Sequence, residues 1–177
     1  GSRETLTLLR EHLPRRFPDR YPAPPTVDDG SHPLEAAALL VQEDLAVMTP
    51  IAGRWVLTAA CVCFPNRWDL TEKIGGDLYD IHDPVPHYRE RVGDATHTMF
   101  GKFTADWPVW RANWTIVDSP EMHQPSAPPL APVPAAGLAE RTYLRTERQT
   151  MRVLPGGDVL FTIRTHVASL AGLERAD

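Results

Sequence analysis

Two long β-rich runs near the C-terminal end, Thr142 to Leu154 and Val159 to Leu170, flank Pro155-Gly156-Gly157-Asp158. Strand-forming residues on both sides of such a turn specify an antiparallel hairpin. A lone hairpin is barely stable in water, so the rest of the chain must supply further strands or a helical cover. With Leu154 opposite Val159, counting back places Gln149 opposite Arg164 and Glu147 opposite His166, all four on one face. Phe161, Ile163, Thr150 and Arg148 then occupy the other.

The remaining strands precede this hairpin. Arg54 to Phe64 (RWVLTAACVCF) is a nearly continuous apolar run that suits a central strand covered on both faces. Leu45 to Met48 forms a short strand before it, with a turn at Pro50 to Gly53. Val109 to Val117 alternates, placing Trp110, Ala112, Trp114 and Ile116 on one face and Arg111 and Asn113 on the other. Helices are expected over Arg3–His12, over Leu34–Gln42, and from Leu70 to Gly75 behind a capping box at Asp69 and Glu72. A further helical turn is expected at Leu78–His82, and an amphipathic helix from Tyr88 to Phe103. Asp83-Pro84-Val85-Pro86 separates these last two, because residues before proline are pushed out of the α region. Two strands, a helical excursion and three strands give an α+β domain of PAS-like order. Its expected form is a five-stranded antiparallel sheet, helices covering one face, with a pocket between sheet and helices. The 18 prolines cluster at Pro14–Pro33 and Pro120–Pro134, which read as extended or loop segments. The expected division is residues 1–33 as an N-terminal helix and Pro-rich arm, and residues 34–177 as the folded domain.

Composition excludes several classes of function. A chain of 177 residues suits one core. No apolar run approaches the ~18–20 residues of a membrane span, and no secretory signal is visible, so a cytoplasmic protein without membrane attachment is expected. Gly1-Ser2 reads as a cleavage scar. A net charge of −5 supplies no excess cation to displace counterions, which argues against nucleic acid as a partner. Cys61 and Cys63, on one face of a strand, are placed badly for a disulfide and read as buried small hydrophobes. His82 and His87 lack helical spacing, and no Cys-x-x-Cys or His-Glu-x-x-His occurs, so zinc is not expected.

Four segments together carry a resemblance. They are Leu57 to Trp68 (LTAACVCFPNRW), Ile81 to Pro86 (IHDPVP), Val109 to Trp114 (VWRANW), and Leu144 to Thr150 (LRTERQT), the last followed by Phe161 to Thr165 (FTIRT). In this order, over about Gln42 to Leu170, the chain resembles the haem-dependent oxidative N-demethylase-like family. The resemblance implies a PAS-like fold whose pocket holds one haem b, with dioxygen as co-substrate. It implies oxidative demethylation of a small methylated amine, through a carbinolamine that collapses to amine and aldehyde. Neither a Gly-rich dinucleotide fingerprint nor a four-cysteine iron–sulfur set is present, so electrons are expected from an external reductase or ferredoxin-type donor. The alternative is a haem sensor or carrier of the same fold without turnover, because PAS-type domains more often sense than catalyse.

A haem pocket needs an axial ligand, apolar walls and cations for the propionates. His82 is the expected iron ligand, since the two prolines that follow stiffen the backbone beside it. His87, His97, His123 and His166 are the other candidates, and a Cys63 thiolate is a further one. Arg67, Arg111, Arg148 and Arg164 lie inside the shared motifs, and their guanidinium forks suit propionate carboxylates. Glu147, beside Gln149 and opposite His166, is expected to serve with His166 in substrate binding or proton relay. A buried pair of Glu147 with a neighbouring arginine is the alternative. The five tryptophans read as core aromatics. The Pro/Ala-rich stretch Pro125–Pro134 is a candidate gate over the pocket.

Overall fold

The computed structural model describes residues 1–26, 30–127 and 136–173. Its first hairpin joins β1 (Asp44–Ile51) to β2 (Arg54–Cys61) through Ala52 and Gly53, whose φ values of 48° and 76° are the left-handed pair that matches strand twist. Pro50, expected in the turn, lies inside β1 opposite Trp55. It is tolerated because β5 pairs with β1 from Asp44 to Met48, so this end has no strand partner on that side among the described residues. β2 stops at Cys61, short of the expected Phe64. The buried Asp44 carboxylate takes the amides of Cys63 at 2.7 Å and Phe64 at 3.1 Å and so turns the chain out of the ladder.

Three more strands, β3 (Val109–Val117), β4 (Tyr143–Val153) and β5 (Val159–Ser169), complete an antiparallel five-stranded sheet of order β2-β1-β5-β4-β3. This is the expected α+β architecture. The hairpin register differs from the expected one by a single residue. Leu154 donates its amide to the Asp158 carbonyl at 2.7 Å, and Gly157, at φ 91°, donates to Leu154 at 2.9 Å. The loop is therefore Pro155, Gly156 and Gly157 alone, a three-residue turn with glycine in the left-handed position. Glu147 accordingly faces Thr165, Gln149 faces Ile163, Arg148 faces Arg164 and Thr146 faces His166. Because side chains alternate, this slip re-sorts the faces. Glu147 and Gln149 share the front with Phe161 and Ile163, while Arg148, Arg164 and His166 lie on the reverse.

Both faces carry helices. On the front, α3 (Leu78–Ile81) and α4 (Asp94–Phe100) press Leu78 and Phe100 against Met48, Leu57, Met151 and Val159. On the reverse, Leu34 and Ala37 of α2 (Pro33–Ala38) bury against Leu45, Val47, Leu154 and Leu160, with Leu6 and Leu9 of α1 (Ser2–Arg16) beside them. The expected Leu70–Gly75 helix is one tight turn, Leu70–Glu72, capped by Asp69. The tryptophans of β3 are not core residues. Trp110 and Trp114 are 69% and 67% exposed, because β3 is an edge strand and the reverse-face helices pack over β1 and β5. The stretch 128–135, and with it most of the candidate gate, lies outside the described residues.

The expected Tyr88–Phe103 helix is interrupted. Arg89–Gly93 forms a π-helical turn before α4 begins. A methyl group on Gly93 would meet Tyr79 Cε1 at 2.5 Å, so the close approach of the two segments requires glycine here. Gly93→Ala is expected to cost roughly 1–3 kcal/mol as an overpacking change. Urea unfolding measures it, and an unchanged midpoint would mean that the Tyr79 ring yields without cost.

Candidate functional site

The helical excursion starts against β2, where Asp77 bridges Val56. Asp77 caps α3 by accepting the amides of Tyr79 at 2.8 Å and Asp80 at 3.0 Å, while Asp80 accepts the Asp77 amide at 3.1 Å. This reciprocal box lets a helix of one turn persist despite its length. Arg54 adds an ion pair to Asp77. His82 is the residue at which α3 ends. Its Nδ1 lies 2.8 Å from the Leu78 carbonyl, and since a carbonyl only accepts, Nδ1 carries the proton. The other ring nitrogen, Nε2, is then the one with a lone pair. Burial lowers the His82 pKa below its ordinary value, against the Leu78 hydrogen bond, and the positive charges of Arg111 and Lys73 push the same way as burial. The imidazole is a neutral, pre-oriented base.

The proline turn folds the chain back over that ring. Val85 donates to the His82 carbonyl at 2.8 Å and Tyr88 donates to Val85 at 3.1 Å, with His87 in the left-handed region at φ 60°. Tyr88 thereby stacks on His82 with ring centroids 4.2 Å apart and planes 6° apart. The stacked pair lines a depression of about 230 Å³ with Tyr79, Asp83, Val85 and Arg89.

The sheet brings a second set of polar groups to the front. Arg111 Nε donates to Gln149 Oε1 at 2.6 Å, and Gln149 Nε2 donates to Glu147 Oε2 at 3.1 Å. Glu147 Oε1 accepts from Arg145 Nε at 3.1 Å. Arg145 is fully buried, and it also donates to the carbonyls of Phe64 at 2.5 Å and Met122 at 2.9 Å and to Thr165 Oγ1 at 3.3 Å. A continuous row of hydrogen bonds thus runs from a buried arginine to the exposed Arg111 on β3, whose charge reaches His82. The family model described as haem-dependent oxidative N-demethylase, alpha subunit-like, matches residues 1–177. The chain belongs to this family.

Among the site residues expected in this member of the N-demethylase-like family, the structure brings His82 and Arg111 to one side. Glu147 joins them through Gln149, with both carboxylate oxygens engaged. His166 does not join Glu147. It is exposed on the reverse face opposite Thr146, a consequence of the shorter hairpin loop. Arg148 is exposed on the reverse face, and Arg164 there pairs with Glu43 at 3.7 Å. Arg67 is ion-paired with Asp118, beyond the far end of β3. Cys61 packs with the reverse-face core, where burial and then Cys63 push its thiol up to about 11. Cys63 is exposed rather than buried, its amide held by Asp44. Among the described residues no helix is long and apolar enough to cross a membrane.

Sequence reasoning missed Arg145, Gln149 as a link, and Tyr88. Arg145 sits in the same LRTERQT segment and shares the parity of Glu147, a signal present in the alternation of the strand itself whatever the hairpin register.

The buried Asp44 sits within reach of the Arg145 and Glu147 charges, and it gives a test of this region. Burial raises its carboxyl pKa above 3.8, against the amides of Cys63 and Phe64 and the Arg145 charge. The folded state therefore holds the Asp44 proton more tightly than the unfolded chain does. Its stabilising contribution is complete below pH 3.8 and is lost as pH rises through the folded-state value. Relative to Asp44→Asn, the wild-type protein is expected to lose stability as pH rises through that window in urea unfolding. Parallel pH profiles for the two proteins would contradict it.

Proposed function

We propose that this chain is a haem b-binding oxygenase subunit that removes methyl groups from a small methylated amine. The observation that carries the reading is the His82 imidazole. It is neutral, fixed at Nδ1 by the Leu78 carbonyl and held in plane by Tyr88, which leaves Nε2 as the ligating atom. No Cys-x-x-Cys-His occurs for covalent attachment, which favours haem b.

When bound, haem supplies oxygen activation: one dioxygen, two electrons and two protons oxidise the N-methyl group to formaldehyde, leaving the demethylated amine and water. The residues of this chain hold and orient. His82 Nε2 holds iron. Arg111 offers its fork to a propionate and is kept in position by Gln149. Glu147 acts as a positioning residue, since Arg145 and Gln149 already occupy both its oxygens. The electrons come from a separate reductase or ferredoxin-type protein, and the family description as an alpha subunit supports further subunits beside it.

The test is spectroscopic and then chemical. Protein loaded with haem and reduced under carbon monoxide is expected to give a band of the histidine-ligated type. Supplied with electrons in air, the loaded protein is expected to release formaldehyde from methylated amines. Haem binding without any formaldehyde would favour a sensor or carrier, in keeping with the PAS-like sheet order.

A further inference from the structure

Among the described residues nothing pairs with the outer side of β3, although its register with β4 holds from Val109 to Val117 without a bulge. A regular, unpaired edge of this length invites another strand, and proteins ordinarily blunt such edges with lysine, proline, a bulge or a covering segment. The strand, VWRANWTIV, contains neither lysine nor proline. The opposite edge of the sheet is treated differently. There Gly75 donates to the Leu57 carbonyl at 2.8 Å and Leu57 donates to the Gly76 carbonyl at 2.9 Å, so the chain covers part of β2 with its own backbone. The reverse face of β3 presents Trp110, Ala112, Trp114 and Ile116, all exposed. A contiguous apolar stripe of this kind marks a surface of association. The backbone is turned the same way. Trp114 donates its amide to Asn113 Oδ1 at 2.9 Å, and the Ile116 carbonyl accepts from Thr115 Oγ1 at 3.5 Å, side chains of β3 itself. Alternate residues of an antiparallel strand turn both backbone groups to one side, so the four stripe residues aim theirs outward.

We propose that β3 pairs antiparallel with β3 of a second copy of this chain, about a two-fold axis at Asn113, joining the two five-stranded sheets into one. In that register Ala112 faces Trp114 of the second copy and Trp110 faces its Ile116, and the reverse pairs follow by symmetry. These are the outward-turned residues, so they exchange the backbone hydrogen bonds. One ring lies across from a methyl group and the other across from an aliphatic side chain. Arg111 falls opposite Thr115, so no like charges meet directly across the seam. Neighbouring registers are worse. An axis at Ala112 sets Ile116 against Pro108, which has no amide to give, and an axis at Trp114 sets Trp110 against Asp118, past the end of the strand. With the backbone edge, two indoles and one isoleucine from each copy bring the buried area to on the order of 1,000 Å² in total, enough for a specific interface.

The test is the oligomeric state of the full chain. Sedimentation velocity between about 1 and 100 μM is expected to show a monomer–dimer equilibrium, as suits an interface at the small end of the specific range. Trp114→Lys sets a charge at the seam in both copies. It is expected to weaken the dimer about 100-fold or more and to leave the monomer folded, because the ring it replaces is exposed. Crosslinking reads the register, in a Cys63→Ala background that removes the exposed thiol. Asn113→Cys meets its own copy at a non-hydrogen-bonded pair, about 4.5 Å between Cα atoms, and is expected to form an intermolecular disulfide with oxidised glutathione as oxidant. Arg111→Cys lies roughly 13 Å from its copy along the strands and is expected to form none. A chain that stays monomeric at the highest concentration overturns the proposal and leaves the edge to a different subunit. A dimer that Trp114→Lys does not weaken has its interface elsewhere, which also overturns it. Absent crosslinking at Asn113→Cys, or equal crosslinking of the two cysteine variants, does the same. Should Trp114→Lys fail to fold, the cysteine pair decides alone.

Discussion

Haem affinity is expected to fall on the order of 100-fold or more when His82 is replaced by alanine, since removal even of a group that orients a metal ligand costs about 10–100-fold. The loss should be specific. His82 contributes one hydrogen bond, to Leu78, and one ring stack, to Tyr88, so the haem-free protein should lose only about 1–2 kcal/mol. Binding and folding are therefore separable in this variant. Added imidazole is expected to restore a histidine-type spectrum, because the space left under Tyr88 has the shape of the lost ring. Cys63→Ala serves as the opposing control. If Cys63→Ala strips the haem and His82→Ala does not, the ligand is the thiolate.

The second large effect concerns stability. Arg145→Met is expected to cost roughly 3–5 kcal/mol, the usual consequence of breaking a buried charge pair on one side. Four protein groups lose a donor at once: the Glu147 carboxylate, the carbonyls of Phe64 and Met122, and Thr165 Oγ1. For a chain of this size a change of that order lowers Tm by roughly 10 °C or more. Arg145→Lys should recover little, because an ammonium cannot reproduce a planar fork bonded in several directions. Adding Glu147→Gln should recover part of the loss, since no unpaired carboxylate then remains buried. Calorimetry of the haem-free protein reads all three variants. A loss below about 1 kcal/mol for Arg145→Met would show that water enters and solvates the site, and that the row of bonds to Arg111 is not held from its buried end.

Much of this architecture was legible from the residues, and the failures have identifiable causes. The number and order of strands follow from apolar runs and alternation, which tertiary packing rarely overrides in segments as long as Tyr143–Val153. The register did not follow, because Pro-Gly-Gly-Asp closes as either a three- or a four-residue loop. That one residue moved His166 away from Glu147 and replaced it with Thr165. Alternation told which tryptophans of β3 share a face, but not whether anything covers that face. The π-turn at Arg89–Gly93 leaves a helical pattern in the residues, and only the close fit of Gly93 against Tyr79 reveals it. His82 was accessible because the prolines beside it announce a rigid turn. Its stacking partner was hidden by the same prolines, since nothing local says where the chain goes after them.

The strand order has a consequence for biogenesis. β1 precedes its second neighbour, β5, in the chain, with β2, β3 and β4 made between them. Until residues Val159–Ile163 leave the ribosome, the Asp44–Met48 edge has no partner and is a template for any other extended chain. Closing so long a loop makes folding slow relative to helical domains of this size. Nascent chains truncated before Val159 should accordingly depend on chaperones and aggregate when released, whereas chains that include β5 should not.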